Sequence, residues 1–315
     1  MNHLLSIADL SRGDIERIIA VAERFGEVVE RDIKKVPTLR GRTVVNLFYE
    51  SSTRTSSSFE LAAKRLSADL VNVRSSGSAI DKGESLRDTI ATLSAYDPAA
   101  IVIRAPWAGA AAIVARHTTA SVVNAGDGKH EHPSQALLDV YTLRRRLGSL
   151  DGADIWIVGD VLHSRVARSN IHAFTRMGAR VIVCGPPTLI PRDVEALGCE
   201  VRYDLGGLSD ADVIYTLRMQ HERMGDSFLP SMREYVANYQ IDSRRLHPRQ
   251  LLMHPGPVNR GVELSAEVIE SPQALITEQV AAGLVVSMAI LYELLSGGRQ
   301  GAAGPAPIPP VEQPA

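Results

Sequence analysis

Read along its pattern of apolar and polar positions, the chain alternates between two periods. Thr43-Val44-Val45-Asn46-Leu47-Phe48-Tyr49 is a β-branched, apolar run of strand length, whereas Phe59, Ala62, Ala63 and Leu66 recur at the i, i+3, i+4, i+7 spacing of one helix face. The same alternation continues. Strands are predicted at 43–49, 69–73, 100–104 and 120–123, and helices at 13–25, 54–66, 84–95, 108–116 and 134–147. A second series of strands follows at 154–158, 180–184, 200–203, 212–216 and 251–253, with helices between. Strands separated by helices predict parallel sheets, so the fold class is α/β, with two consecutive α/β domains, each a central, mainly parallel sheet flanked by helices. The joint is expected in the helix that opens at His132-Pro133, since proline suits a first helical turn and no linker-like segment lies nearby. An apolar helix near 278–296 is expected to pack back across both domains. This gives a first domain of 1–133 plus 280–296 and a second of 134–279. Residues 297–315 gather Gly, Pro and Ala with almost no large apolar side chain, and are read as a disordered tail.

Composition narrows the partners. In 315 residues, 45% apolar, 34 basic and 36 acidic side chains leave a net charge of −2, so no global field points to nucleic acid or an anionic membrane. Any cationic function must be local. No window is expected to reach the ~20 apolar residues that span a bilayer, the N-terminus has no leader pattern, and a cytoplasmic location follows as an expectation. Cys184 and Cys199 lack metal-ligand spacing and read as buried thiols in a reducing compartment.

The local cations fall where strands end. Ser52-Thr53-Arg54-Thr55 stands between a strand and a helix, where unpaired N–H groups and the helix dipole favour an anion and Arg54 adds a fork of donors. An ordinary Ser/Thr N-cap is the simpler reading of those four residues alone. Arg104 closes the strand at 100–104, and strand C-termini line the ligand crevice of a parallel sheet. In Ala125–Gln135, glycines loosen the backbone before a helix start presents His132 and Gln135 together. A metal reading of Asp127, His130 and His132 has no matching set elsewhere. Val158-Gly159-Asp160 hints at dinucleotide binding, but no further glycine follows through Arg165, so the close approach to a pyrophosphate fails. Arg165 and Arg218, each after a strand, suit the bidentate grip of carboxylates, with Gln220 nearby. In Met253-His254-Pro255-Gly256-Pro257, two prolines remove donors and leave carbonyl oxygens free to accept from an amide N–H₂.

Five segments in order, Ser-Thr-Arg-Thr at 52–55, Lys-Gly-Glu at 82–84, His-Pro-Ser-Gln at 132–135, Arg-Met-Gln-His-Glu-Arg at 218–223 and Met-His-Pro-Gly-Pro at 253–257, resemble the catalytic chain of the aspartate carbamoyltransferase family. The resemblance implies transfer of the carbamoyl group of carbamoyl phosphate to the α-amine of L-aspartate, on the route to pyrimidines, without metal or organic cofactor. It implies that Ser52, Thr53, Arg54 and Thr55 cradle the phosphate. Arg104, Thr55 and His132 polarise the carbamoyl oxygen, and Gln135 with the carbonyls near Gly256 and Pro257 holds the N–H₂. Arg165, Arg218 and Gln220 take the two carboxylates. His132, near Arg54 and Arg104, is expected to be neutral. No carboxylate presents itself as a general base, which leaves the departing phosphate to take the amine proton. Ser78 and Lys82, in a glycine- and serine-rich loop, are implied to enter a neighbouring subunit's site, and hence a homotrimer with shared active sites. Whether regulatory chains or dihydroorotase join it stays open. Ser56 and Ala105 depart from the family pattern, where a second arginine and a histidine are frequent. Two alternatives carry less. The ornithine-using relative bears a cysteine where Pro255 stands, and a catalytically silent structural partner of another pyrimidine enzyme would have no call for every assigned side chain.

Overall fold

The computed structural model describes residues 1–74, 83–220 and 231–296, so Ser78, Lys82, the His-Glu-Arg end of the 218–223 motif and the 297–315 tail lie outside the described residues. The first half runs α1 (Arg12–Val29), β1 (Thr43–Phe48), α2 (Thr53–Arg65), β2 (Asp69–Arg74), α3 (Leu86–Ser94), β3 (Ala100–Ala105), α4 (Ala110–Ala115), β4 (Ser121–Asp127) and α5 (Pro133–Leu147). The second half runs β5 (Asp154–Val158), α6 (Arg165–Arg176), β6 (Arg180–Cys184), β7 (Glu200–Arg202), β8 (Val213–Thr216), α7 (Met232–Tyr239), β9 (Leu251–Met253), α8 (Ala266–Ile269) and α9 (Ile276–Leu295). The elements fall within a few residues of the pattern-based expectation, with one instructive exception. Strand β4 continues through Asn124, Gly126 and Asp127, because the Asn124 amide is satisfied by the Leu5 carbonyl and by Asp127 Oδ1, so polar residues cost the strand nothing.

Each half holds one parallel sheet. The strand orders are β2-β1-β3-β4 and β7-β6-β5-β8-β9, with every pairing parallel. The order reverses between β1 and β3 in the first sheet and between β5 and β8 in the second. At such a reversal the connections leave to opposite faces, and a crevice opens beyond the strand C-termini. Those two crevices are where the cationic segments fall.

The halves are joined by a common core and not by a linker. Ile18 and Phe59 belong to the same buried cluster as Leu137 and Val140 on α5, Val286 and Ile290 on α9, and Ile155, Phe174 and Tyr215 of the second half. Helix α9 packs against α1, α2 and α5. It also corrects the expectation that no segment approaches membrane-spanning length: its 20 residues are apolar enough by length and composition, but most of that surface is buried inside the protein, as in a core helix. Cys184 and Cys199 are free and buried, and desolvation raises both thiols, Cys184 to about 12 and Cys199 to about 11.

Candidate active site

The segment after β1 folds as its composition dictates. Ser52 takes an extended conformation and caps α2, its Oγ accepting from the Thr55 N–H at 3.3 Å, so the first turn presents Thr53, Arg54 and Thr55 at the helix N-terminus. Thr55 Oγ1 lies 3.4 Å from His132 Nε2. This contact brings the α2 start and the α5 start to one place, although 77 residues separate them.

His132 is held from behind. Its N–H donates to Ser169 Oγ at 2.9 Å, Ser169 donates to Glu131 Oε2 at 2.8 Å, and Ser134 Oγ sits 3.3 Å from His132 Nδ1. The loop before it is firm, which corrects the expectation that glycines loosen it. Gly128, at φ +54°, lies so close to the Ala108 backbone that a Cβ would approach to 2.7 Å, and Asp127 accepts from the Gly109 and Glu131 N–H groups at 2.7 and 3.1 Å. Asp127 and His130 are in contact at 3.1 Å, while the His132 ring turns to Thr55. Among the described residues no three potential metal ligands converge. His132 is buried, and its pKa is lowered well below the usual histidine value, first by desolvation and then by the charges of Arg104 and Arg165. The expected neutrality therefore stands on burial more than on cations, and the second cation is Arg165 in place of Arg54.

A cavity of about 400 Å³ collects the sequence candidates: Ser52, Thr53, Arg54, Thr55, Arg104, His132 and Gln135 from the first reversal, and Arg165, Arg218 and Gln220 from the second, closed by Gly256 and Pro257. Every assigned residue within the described portion lines it. Gly256, at φ +64°, lies directly under the Arg54 guanidinium: a Cβ there would be 2.6 Å from Cζ. Its loop is fixed by His254, whose Nδ1 accepts from the Gly256 N–H at 2.8 Å. The ring proton must then sit on Nε2, which faces Glu263 Oε1 at 3.1 Å. On the opposite wall Asp160 holds the 160–165 turn through the His163 N–H at 3.1 Å, and its Oδ2 accepts from Gln220 N at 3.4 Å. Ala105, one of the two departures, is buried within the first sheet's core.

Sequence reading missed Glu50. Its Oε2 accepts from Arg165 at 2.7 Å and lies 3.4 Å from Arg104 Nε, so one carboxylate links the cations of the two reversals across 115 residues of chain. The signal was present but mute. A single acid at the end of an apolar strand has no distinguishing pattern until its partners are known. Asp139 was missed as well, since it reads as one more polar position on α5.

Two parallel-sheet domains sharing one cationic cavity at facing crevices define an enzyme class that handles small, multiply charged anions. The chain belongs to the aspartate/ornithine carbamoyltransferase family: residues 2–145 match its carbamoyl-P binding domain and residues 151–294 its Asp/Orn binding domain. It is 53% identical over 313 residues to the aspartate carbamoyltransferase catalytic subunit of Acidothermus cellulolyticus, covering 98% of this chain and 97% of that one. It is likewise 53% identical over 307 residues to that of Salinispora arenicola, covering 95% and 100%. Among solved structures, the M. jannaschii aspartate transcarbamoylase catalytic subunit is 33% identical at a TM-score of 0.84, with 96% and 100% covered. The Trypanosoma cruzi aspartate transcarbamoylase in complex with carbamoyl phosphate and aspartate is 32% identical at a TM-score of 0.84, with 93% and 97% covered.

Proposed function

We infer that the protein transfers the carbamoyl group of carbamoyl phosphate to the α-amine of L-aspartate, giving N-carbamoyl-L-aspartate and phosphate. The observation that carries this reading is the convergence of a helix-start anion cradle at Ser52–Thr55 and an arginine pair, Arg165 and Arg218, on one cavity. The first suits a phosphate and the second suits two carboxylates. The names of the relatives support the same pair of substrates.

In this reading the amine lone pair attacks the carbamoyl carbon, the C=O electrons move onto oxygen, and the oxyanion is met by Arg104, Thr55 and His132. Preorganised donors aimed at a developing charge are usually the largest single contribution to such a step. The His132 tautomer that serves this step carries its proton on Nε2, which faces Thr55, with Nδ1 then accepting from the Ser134 hydroxyl. Collapse restores the C=O bond and expels phosphate into the Ser52, Thr53, Arg54 and Thr55 cradle, and the departing phosphate takes the amine proton. Gln135 and the carbonyls near Gly256 and Pro257 hold the carbamoyl N–H₂. Arg165, Arg218 and Gln220 hold the aspartate carboxylates. By resemblance to the family we further propose a homotrimer in which Ser78 and Lys82 complete a neighbour's site.

Parallel assays of carbamoyl aspartate and citrulline formation, with L-aspartate and L-ornithine as acceptors, test the assignment. Activity with aspartate alone, retained after chelator treatment, is expected. Citrulline as the faster product refutes it.

A further inference from the structure

Asp139 lies one turn along α5 from Gln135, fully buried, and receives four hydrogen bonds. Its Oδ1 accepts from Gln135 Nε2 at 3.1 Å and from Gln279 Nε2 at 2.7 Å. Its Oδ2 accepts from Asn170 Nδ2 at 3.0 Å and from the Tyr215 hydroxyl at 2.7 Å. The donors come from α5, α9, α6 and β8, and all are neutral. Desolvation pushes the carboxyl up to about 6, only partly offset by those bonds. A buried charge whose described partners are all neutral is an expensive way to fill space, and an apolar side chain of similar volume would pack there at lower cost. The carboxylate must therefore supply something that packing does not.

It supplies direction. An amide has a donor end and an acceptor end, and whichever faces Asp139 determines what the other end offers. For Gln279 the orientation is settled twice, because its Oε1 accepts the His254 N–H at 3.0 Å while its Nε2 faces the carboxylate. His254 directly precedes the Pro255–Pro257 wall of the cavity. Gln135 likewise turns its N–H₂ to Asp139, leaving Oε1 as the end available to the cavity that it lines. Only an ionised carboxylate accepts at both oxygens; asparagine would present an N–H₂ to one pair of donors.

We propose that Asp139 is a positioning residue for carbamoyl transfer: by fixing the amide orientation of Gln135 and Gln279, it presents Gln135 Oε1 to the substrate's carbamoyl N–H₂ and holds the 254–257 backbone at the same cavity wall. This rests on the carbamoyl-transfer reading above. Ser52, Thr53 and Thr55 make no hydrogen bond to Asp139, Gln135 or Gln279, and Arg54 meets the network only through the Gly256 backbone beneath its guanidinium, so the network bears on carbamoyl recognition directly and on phosphate binding only through that one contact.

The test is Asp139→Asn, with Tyr215→Phe as comparison, because the latter removes one bond to Oδ2 while both glutamines keep their bonds to Oδ1. For Asp139→Asn, KM for carbamoyl phosphate is expected to rise roughly tenfold or more, on the scale of one mispaired hydrogen bond. kcat should fall, and the Kd of inorganic phosphate, by calorimetry, should stay within about threefold. Tyr215→Phe should lower Tm and leave KM and kcat within about twofold. Should Asp139→Asn not fold, Gln279→Leu cuts the relay from Asp139 to His254 and is likewise expected to raise KM for carbamoyl phosphate, an unchanged KM overturning the relay. An active wild type with unchanged carbamoyl phosphate kinetics in the folded variant, whatever its Tm, overturns the role of Asp139 alone. A wild type that makes no carbamoyl aspartate overturns the reading on which it rests.

Discussion

Replacing Gly256 with alanine should damage catalysis far more than folding, and the geometry says by how much. A Cβ at this position would stand 2.6 Å from Arg54 Cζ, 2.7 Å from Nη1 and 2.8 Å from Nη2, where ordinary contact begins near 3.4 Å. Arg54 is the end of a flexible side chain, so it is the guanidinium that yields, withdrawing by about 1 Å. Misplacement of that size in a charge-stabilising group costs on the order of 10²-fold in rate. The backbone contributes separately, since alanine at φ +64° costs roughly 1–2 kcal/mol, or a few degrees of Tm. Gly261→Ala isolates that part: its φ is +84°, with nothing within 4 Å of the new methyl. Steady-state kinetics and thermal melts on both variants decide the matter. Similar Tm losses are expected, with kcat reduced about 10²-fold in Gly256→Ala and within about threefold of wild type in Gly261→Ala. Equal kcat in the two variants would refute the claim that Gly256 is there to let Arg54 lie against the backbone.

Three further outcomes follow from the site. Arg218→Ala should raise the KM for aspartate by roughly 10- to 100-fold, the scale of a lost charge-assisted bond, while separate titration finds carbamoyl phosphate binding nearly intact; equal weakening of both would make Arg218 structural. His132 should show no ionisation at the ordinary histidine value in an NMR titration, because burial and then Arg104 and Arg165 depress its pKa; an ionisation near 6.5 would contradict this. The unfolded chain takes up that proton near 6.5, so this histidine's share of stability is full above that pH and is lost as pH falls below it. For the proposed trimer, Lys82→Ala and Arg54→Ala chains should each be nearly inactive and regain up to one normal site per mixed trimer after verified subunit exchange; a mixture at parental background places Lys82 in its own subunit's site.

The alternation of period-2 and period-3.6 segments was enough to read the α/β class and the element order, because buried parallel strands such as Ala100–Ala105 are continuous apolar runs and the helices between them carry clean faces. The cations were legible for a related reason: a charged residue at a parallel strand's C-terminus is already at the crevice. What could not be read was pairing. Strand order, and with it the two reversals between β1 and β3 and between β5 and β8, depends on contacts between segments far apart in the chain. The glycine-rich stretch before His132 was misread as loose because composition cannot distinguish a glycine that frees the backbone from one that, like Gly128, admits a neighbour at close range.

Glu50 and Asp139 escaped sequence reading for the same reason, yet they divide the task of preorganisation between them. Glu50 stands among arginines from both crevices. It partly offsets the repulsion of gathering Arg104 and Arg165 in one half-buried space, and it draws the two domains' cations to a common point. Asp139 stands among neutral donors, one of them Gln279, 140 residues along the chain. Its charge is offset by hydrogen bonds alone, which makes it costly and at the same time strict about which end of each amide faces it. A cavity that stabilises a developing oxyanion must hold its donors in place before the charge appears, since reorganising them during the reaction would return the energy gained. In this chain the arginines supply the field. The two acids, one paired with cations and one with amides, keep that field and its hydrogen-bonding partners from relaxing.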